Sequence, residues 1–510
     1  MTTLVISFLV YSAVVAGFGF FSTTKSQESE SDFLLADRGL GAWVGALSTA
    51  ASAESGFVTL GLVGMAYTSG LYAFWIVPGT VVAFIVNWTV LAPRLQQASH
   101  DGGALTVTDV LALRYPGTPA IFIRLLAVAM TLAMLTGYVA AQLNAAGVAF
   151  SGAFGWNYGT GVLVGSGLVL AYTVTGGFRA IAWTDVIQAT FMILAVGCVP
   201  IVLIQAIGGP TEFVAKAKAA GLGDAFKGNT GTAAFMATIG MWLGVPLGNC
   251  GQPHVLVRLM AIKDATARRR AAVISTAWVA ILFSGAITVG LAARVHYGAI
   301  PDPEKPASAT AGMVSDTSHL PATAEQALPH IAADESLVHP ILGGMLIAAI
   351  LAAVCSTADS QLLVAASCIS HDLLVRVRGA TPALSQRRLL DRSAVVGLGL
   401  LATGMAVGEV RSVFDFVLAA WDGLGATFGP ALLLTFLYRR TTGWGVFTAM
   451  LTGASVALFW RFVPINGAPL HGTIYTLIPA FAAATVVGVV VSGLTKPQLG
   501  PSGSGSQEIV

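Results

Sequence analysis

Apolar residues in this chain run in long unbroken stretches separated by short polar or Gly/Pro-rich turns. A helix needs roughly 20 mostly apolar residues to cross a bilayer. Thirteen stretches meet that requirement: 3–22, 42–70, 72–92, 120–150, 159–176, 182–207, 231–259, 271–295, 338–368, 393–409, 412–437, 443–462 and 472–494. The first is not read as a signal peptide, because Met1 to Thr24 carries no charge and so lacks the basic leader such peptides have. It is read as a retained extra helix within an N-terminal segment, 1–41, that includes a cytoplasmic loop. Residues 208–230 and 296–337 read as external loops, the second rich in Pro, Ala, Thr and acids, with a short helix near Ala324–Ile331. Two helices fill 438–495. The tail 496–510, with Gly-Pro-Ser-Gly-Ser-Gly-Ser, reads as disordered and cytoplasmic.

Composition agrees with this pattern. Of 510 residues 10% are charged, against about 25% in an ordinary soluble domain, and the mean hydropathy is +0.78. A cytosolic enzyme or a disordered chain is excluded. A net charge of +2 offers no electrostatic footprint for nucleic acid. The four cysteines, Cys198, Cys250, Cys355 and Cys368, fall in apolar stretches and read as small buried hydrophobes. With the N-terminus outside and the C-terminus cytoplasmic, nineteen of the 26 Lys and Arg lie on the cytoplasmic side. That is the asymmetry expected of a multi-pass protein of a bacterial-type plasma (inner) membrane.

Two stretches make poor continuous helices. Ser48 to Gly56 reads Ser-Thr-Ala-Ala-Ser-Ala-Glu-Ser-Gly, with hydroxyls and a carboxylate at mid-membrane depth. Gly244 to Pro253 reads Gly-Val-Pro-Leu-Gly-Asn-Cys-Gly-Gln-Pro. Each opens a five-helix run, 42–207 and 231–437, and the two runs start on opposite sides. Paired broken helices in two inverted halves point to a transport site at the midplane. Unwound backbone survives there only where it lines a cavity.

The chemistry-bearing residues cluster late in the ninth stretch, in Ala352-Ala353-Val354-Cys355-Ser356-Thr357-Ala358-Asp359-Ser360-Gln361. On a helix Ser356, Asp359 and Ser360 share a face and Thr357 lies about 100° away. Oxygen-only ligands suit a hard cation such as Na⁺, and an intramembrane carboxylate usually faces a functional cavity. Asp185, at a helix start, is either a favourable N-terminal acid or a cation ligand facing Asp359. Glu54 lies deeper, with no basic neighbour in sequence. Asp422 is a further buried acid, and His254 reads as a packing residue. No nucleophile–base pair or His cluster suggests an enzyme.

Together these residues resemble the solute:sodium symporter family, and within it the sodium/proline symporters, from about residue 30 to 495. The specific pieces are Gly176-Gly177-Phe178 with Trp183-Thr184-Asp185-Val186-Ile187-Gln188; Gly251-Gln252-Pro253-His254 with Arg258; Ser356-Thr357 with Gln361-Leu362-Leu363-Val364; and Gly425-Ala426-Thr427-Phe428-Gly429-Pro430. The resemblance implies an all-α polytopic membrane protein with the leucine-transporter fold, a 5+5 inverted repeat with one helix before it and two after. It implies a main Na⁺ site from the carbonyls of Ala51, Glu54 and Ala353 and the hydroxyls of Ser356 and Thr357. The positions matching a second Na⁺ site are Asp185, Ser356, Asp359 and Ser360. Substrate would sit near Ser55, Gly56, Phe57, Tyr138, Gln142, Asn249 and Gln252. The chain departs from the pattern at three points. Ala53 and Glu54 stand where sodium/proline symporters read Asp-Met, which moves the carboxylate one residue along. The aromatic pair of the second break is replaced by Val245 and Asn249. Asp359 stands where a neutral hydroxyl is usual.

The expected function is sodium-coupled import of a small organic solute, proline or a related amino acid, by alternating access, with no obligatory protein partner. A monocarboxylate or another small solute is the alternative within transport. A membrane sensor on the same fold is the alternative from another class, and it would want an attached signalling domain.

Overall fold

The computed structural model describes residues 29–174, 177–300, 320–408, 412–465, 468–470 and 474–496, with scattered positions before 29. Most of the first expected span, 3–22, lies outside the described residues, as do Gly176, the middle of the 296–337 loop and the tail beyond Lys496. The other twelve stretches all appear as helices or broken helices. Among the described residues nine helices are long and apolar enough to cross a membrane, including Thr118–Phe154, Phe178–Ile207, Ala265–Tyr297 and Pro340–Val377. Tyr158–Thr173 is a shorter apolar helix.

Helix ends follow local chemistry. Asp264, Ser412 and Thr442 cap Ala265–Tyr297, Val413–Leu437 and Gly443–Phe462, each side chain accepting a hydrogen bond from a backbone N–H in the first turn. Pro340 and Pro253 sit in the first turn of their helices, where a missing N–H costs nothing. Two spans occupy the centre: most of the apolar window of Pro340–Val377 (83%) and of Val413–Leu437 (89%) is buried, against 28% for Leu477–Leu494 at the rim. The central helices therefore present side chains to one another, and the outer ones present theirs to lipid.

The sequence pattern missed three local features. The 208–230 loop contains a ten-residue helix, Pro210–Ala219, with no buried residue, so it carries no apolar stripe to read. The Pro340–Ser367 helix continues as a π-helix, Cys368–Val377. A two-residue hairpin pairs Pro464–Ile465 with Ala468–Pro469 beside the last helices. The short helix expected near Ala324–Ile331 is Ala327–Ala333, preceded by a 3₁₀ turn. All four cysteines are free, and Cys198 is exposed on a helix face rather than buried.

Candidate functional site

Both broken spans are broken where expected. The first runs as Ala42–Ala53, leaves helical geometry at Glu54 and Ser55, then resumes as the π-helix Phe57–Leu62 and the helix Val63–Ser69. The second runs as Val245–Asn249, breaks over Cys250 to Gln252, and resumes as Pro253–Met260. Small residues make the breaks possible. A Cβ on Gly56 would lie 2.7 Å from Ala145, and one on Gly251 would lie 2.8 Å from the backbone of Gly425 and Gly429. The Gly-rich run from Gly425 thus serves as a close-packing surface for the second break.

Helix Pro340–Ser367 lies against the end of Ala42–Ala53. Ser356 Oγ donates to the Ala51 carbonyl (3.0 Å) and lies 3.2 Å from that of Ala353. Thr357 Oγ1 is buried without a hydrogen-bond partner. Two carbonyls and the Ser356 hydroxyl, from two helices, therefore converge beside the break at Glu54, oxygen ligands of the kind a hard cation takes.

One turn along, Ser360 Oγ lies 2.6 Å from the Ser356 carbonyl, 3.1 Å from Asp359 Oδ1 and 3.1 Å from Ser52 Oγ. Ser52 in turn reaches Asp185 (3.4 Å), and Ser48 donates to the same carboxylate oxygen at 2.6 Å. Asp185 and Asp359 are thus connected through serines. Between them stands Arg258. It is 1% exposed, pairs with Asp185 Oδ2 at 3.1 Å, and donates to Ser48 and Ser360. Charge counting along the sequence places Arg258 with the cytoplasmic topology determinants. The fold instead buries it as the counter-charge of Asp185.

The residues expected around the solute divide into two groups. Gln142 Oε1 accepts the Gly56 N–H (2.9 Å), which leaves its Nε2 buried and unpartnered. Ser55 Oγ accepts the Phe57 N–H (3.1 Å). Gln252 Nε2 donates to the carbonyls of Gly248 and Trp421, leaving Oε1 unpartnered. Asn249 is held by Asn87 Nδ2. A cavity of about 20 Å³ joins Glu54, Phe57, Tyr138 and Asn249 to Trp421, room for a single water. The rings of Phe57 and Phe414 stack at 5.2 Å. They form a wall between this cavity and one of about 530 Å³ that Gly61, Tyr158, Glu325 and Phe414 help to line. Glu325 fastens that outer cavity, accepting from Ser412 Oγ and the N–H groups of Val413 and Phe414 at 2.9–3.0 Å. His254 packs its ring edge-on to Tyr138. Asp422 pairs with Arg461 at 3.5 Å.

One cluster had no sequence signal. At the far end of the bundle Asp109 meets Arg124 at 2.8 Å, His371 at 2.8 Å and Arg376 at 3.2 Å, while Arg124 also reaches Asp372. Glu30 joins through His371 and Arg387. Its members come from five distant segments, so no spacing could announce it. Burial works against the Asp109 charge, but the His371 hydrogen bond and the two guanidinium groups hold its carboxyl below the usual range. Asp109, His371 and Asp372 lie close enough to share a metal ion. The arginines already supply the positive charge there, and the cluster reads as an ionic tie between segments.

Comparison with known proteins gives a consistent picture. The chain is 34% identical over 480 residues to the high-affinity proline transporter PutP of Bacillus subtilis, covering 94% of this chain and 95% of that one. It is 32% identical to the sodium/proline symporter of Escherichia coli (strain K12), covering 97% and 93%. Its fold is that of a Na⁺-coupled sialic acid symporter solved in a substrate-bound outward-open state, with a TM-score of 0.81, 18% identity and coverage of 97% and 98%. It is an all-helical, multi-pass membrane transporter fold. The description "Sodium:solute symporter family" matches residues 33–453, and the chain belongs to that sodium-coupled transporter family.

Proposed function

We propose that this protein couples Na⁺ entry to uptake of proline or a closely related amino acid. Its two inverted halves, 42–207 and 231–437, would alternate access around the paired breaks. The placement in a bacterial-type inner membrane, N-terminus outside and C-terminus inside, rests on the asymmetry of Lys and Arg. The observation that carries the reading is the set of unpartnered buried groups at the breaks. Thr357 Oγ1 follows Ser356 on the helix beside the first break, Gln142 Nε2 belongs to the side chain that holds the Gly56 N–H, and Gln252 Oε1 lies in the second break. Buried polar atoms are nearly always satisfied, and a cation together with a solute that carries both donor and acceptor groups would satisfy these three. The relatives named above, proline transporters by name, supply the solute.

The main sodium site is assigned to the carbonyls of Ala51, Glu54 and Ala353 with Ser356 and Thr357. A second cation is assigned to Asp185, Ser356, Asp359 and Ser360, whose oxygens a chain of serine hydrogen bonds gathers into one group. Uptake of labelled L-proline into proteoliposomes under an inward Na⁺ gradient tests the whole reading. Uptake should vanish when Li⁺-free choline replaces Na⁺ outside. The charge moved per solute separates one sodium from two, because proline itself carries no net charge. Uptake of a short monocarboxylate in place of proline would select the alternative solute class.

A further inference from the structure

Glu54 has a side chain that the proposed sodium site does not use. It closes the first helical segment, is 4% exposed, and lines the cavity between the two breaks. Among the described residues, no hydrogen bond or ion pair reaches its carboxylate. The neighbouring buried acids differ in this respect: Asp185 has Arg258, and Asp422 has Arg461. An ion left alone in the interior costs several kcal/mol. A carboxylate at membrane depth is expected to have a partner, and the fold supplies Glu54 with none.

The walls of the cavity say what kind of partner fits. Phe57, Tyr138, Phe283 and Trp421 contribute four aromatic rings, and among the described residues no Lys, Arg or His lines the cavity. Aromatic faces attract cations. A single acid among rings, with no base, is a site for a positively charged group. An acid of the solute would find no positive side chain there. The Nε2 of Gln142, whose Oε1 accepts the Gly56 N–H, is an unpartnered donor on the side chain that braces the first break.

We infer that Glu54 sets solute specificity, its carboxylate pairing with a cationic nitrogen of the solute inside the aromatic cavity. The inference rests on the amino-acid reading above and deepens it by naming the end of the solute that the cavity recognises. It has a consequence for coupling. The Glu54 carbonyl belongs to the proposed sodium ring, so one residue would hold the ion through its backbone and the solute through its side chain. Filling one site would order the other.

The test uses the full-length protein in liposomes and three five-membered-ring probes. L-proline carries both the amine and the carboxylate, L-prolinamide keeps the amine alone, and cyclopentanecarboxylate keeps the acid alone. Wild type should bind the first two and discriminate against the third by about tenfold or more, the worth of a charge-assisted hydrogen bond. Glu54→Gln should weaken proline and prolinamide by about tenfold to a hundredfold while leaving cyclopentanecarboxylate unchanged. Sodium binding without solute, followed by tryptophan fluorescence, reports whether the variant is folded. Glu54→Met, the residue of the sodium/proline pattern, replaces it if the Gln variant does not fold. Unchanged proline affinity in the folded variant overturns the inference, as does a wild type that binds cyclopentanecarboxylate as well as proline. A wild type that binds none of the three defeats the proline reading, and the same pair of proteins is then compared on radiolabelled choline and acetate. Choline uptake lost in Glu54→Gln upholds the role of Glu54 alone; acetate uptake overturns both.

Discussion

Glu54 and Asp185 are both carboxylates buried within the bundle, 4% and 0% exposed. Their surroundings differ completely. Asp185 accepts from Ser48 and pairs with Arg258, so its charge is compensated by the chain itself. Glu54 lines an aromatic cavity and has no such partner. A buried acid with an internal cation is neutralised by the chain itself, whereas the role inferred for Glu54 has its charge met by the solute. The two should therefore respond in opposite ways when their charge is altered.

The largest effect is expected at the internal pair. Arg258→Ala strands the Asp185 charge and should cost about 3–5 kcal/mol of stability. Thermal unfolding in detergent should show a markedly lower midpoint, and expression should fall. Adding Asp185→Asn to that variant should recover part of the loss, since no bare charge then remains. Glu54→Gln should leave the unfolding midpoint at or above the wild-type value. A Glu54 variant as fragile as Arg258→Ala would erase the distinction between the two acids.

A smaller effect is expected in the oxygen ring next to Glu54. Ser356→Ala with Thr357→Ala removes both hydroxyls but no carbonyl. Two lost ligands at roughly 1 kcal/mol each should raise the Na⁺ concentration for half-maximal uptake by about tenfold or more. Uptake at saturating Na⁺ should fall less. An unchanged sodium dependence would move the ion elsewhere.

The smallest effect is expected at Gln142, which holds the Gly56 N–H beside Glu54. Gln142→Ala removes one hydrogen bond, worth about 1 kcal/mol, and should weaken proline binding several-fold without altering sodium binding in the absence of solute. Equal losses of both would make Gln142 a brace for the break and take it out of the solute site.

Much of the molecule was readable before folding because a bilayer imposes simple rules. Apolar length announces each span, and a Gly- or Ser-rich interruption at mid-depth can persist only beside a cavity. That is why the broken stretches Ser48–Gly56 and Gly244–Pro253 were legible, although only Glu54–Ser55 and Cys250–Gln252 within them leave the helix, and why Ser356 and Thr357 stood out. The exposed helix Pro210–Ala219 was missed because it buries nothing and so leaves no periodic pattern. The pairing of Arg258 with Asp185 had no sequence signal because the two lie on different helices 73 residues apart.

The amino-acid sequence by itself determined that the chain spans the membrane many times, where two spans unwind, and which oxygen-bearing residues share a helix face. Those are local properties, set by composition and by helical periodicity within a turn or two. Only the tertiary structure decided which buried acid receives a cation from the chain. Arg258 is 73 residues from Asp185, and Ser360 is 308 from Ser52. At such separations no periodicity links two residues. Whether a charge is paired or bare follows from which helices pack together, and in the low-dielectric interior that difference separates a structural tie from a binding site.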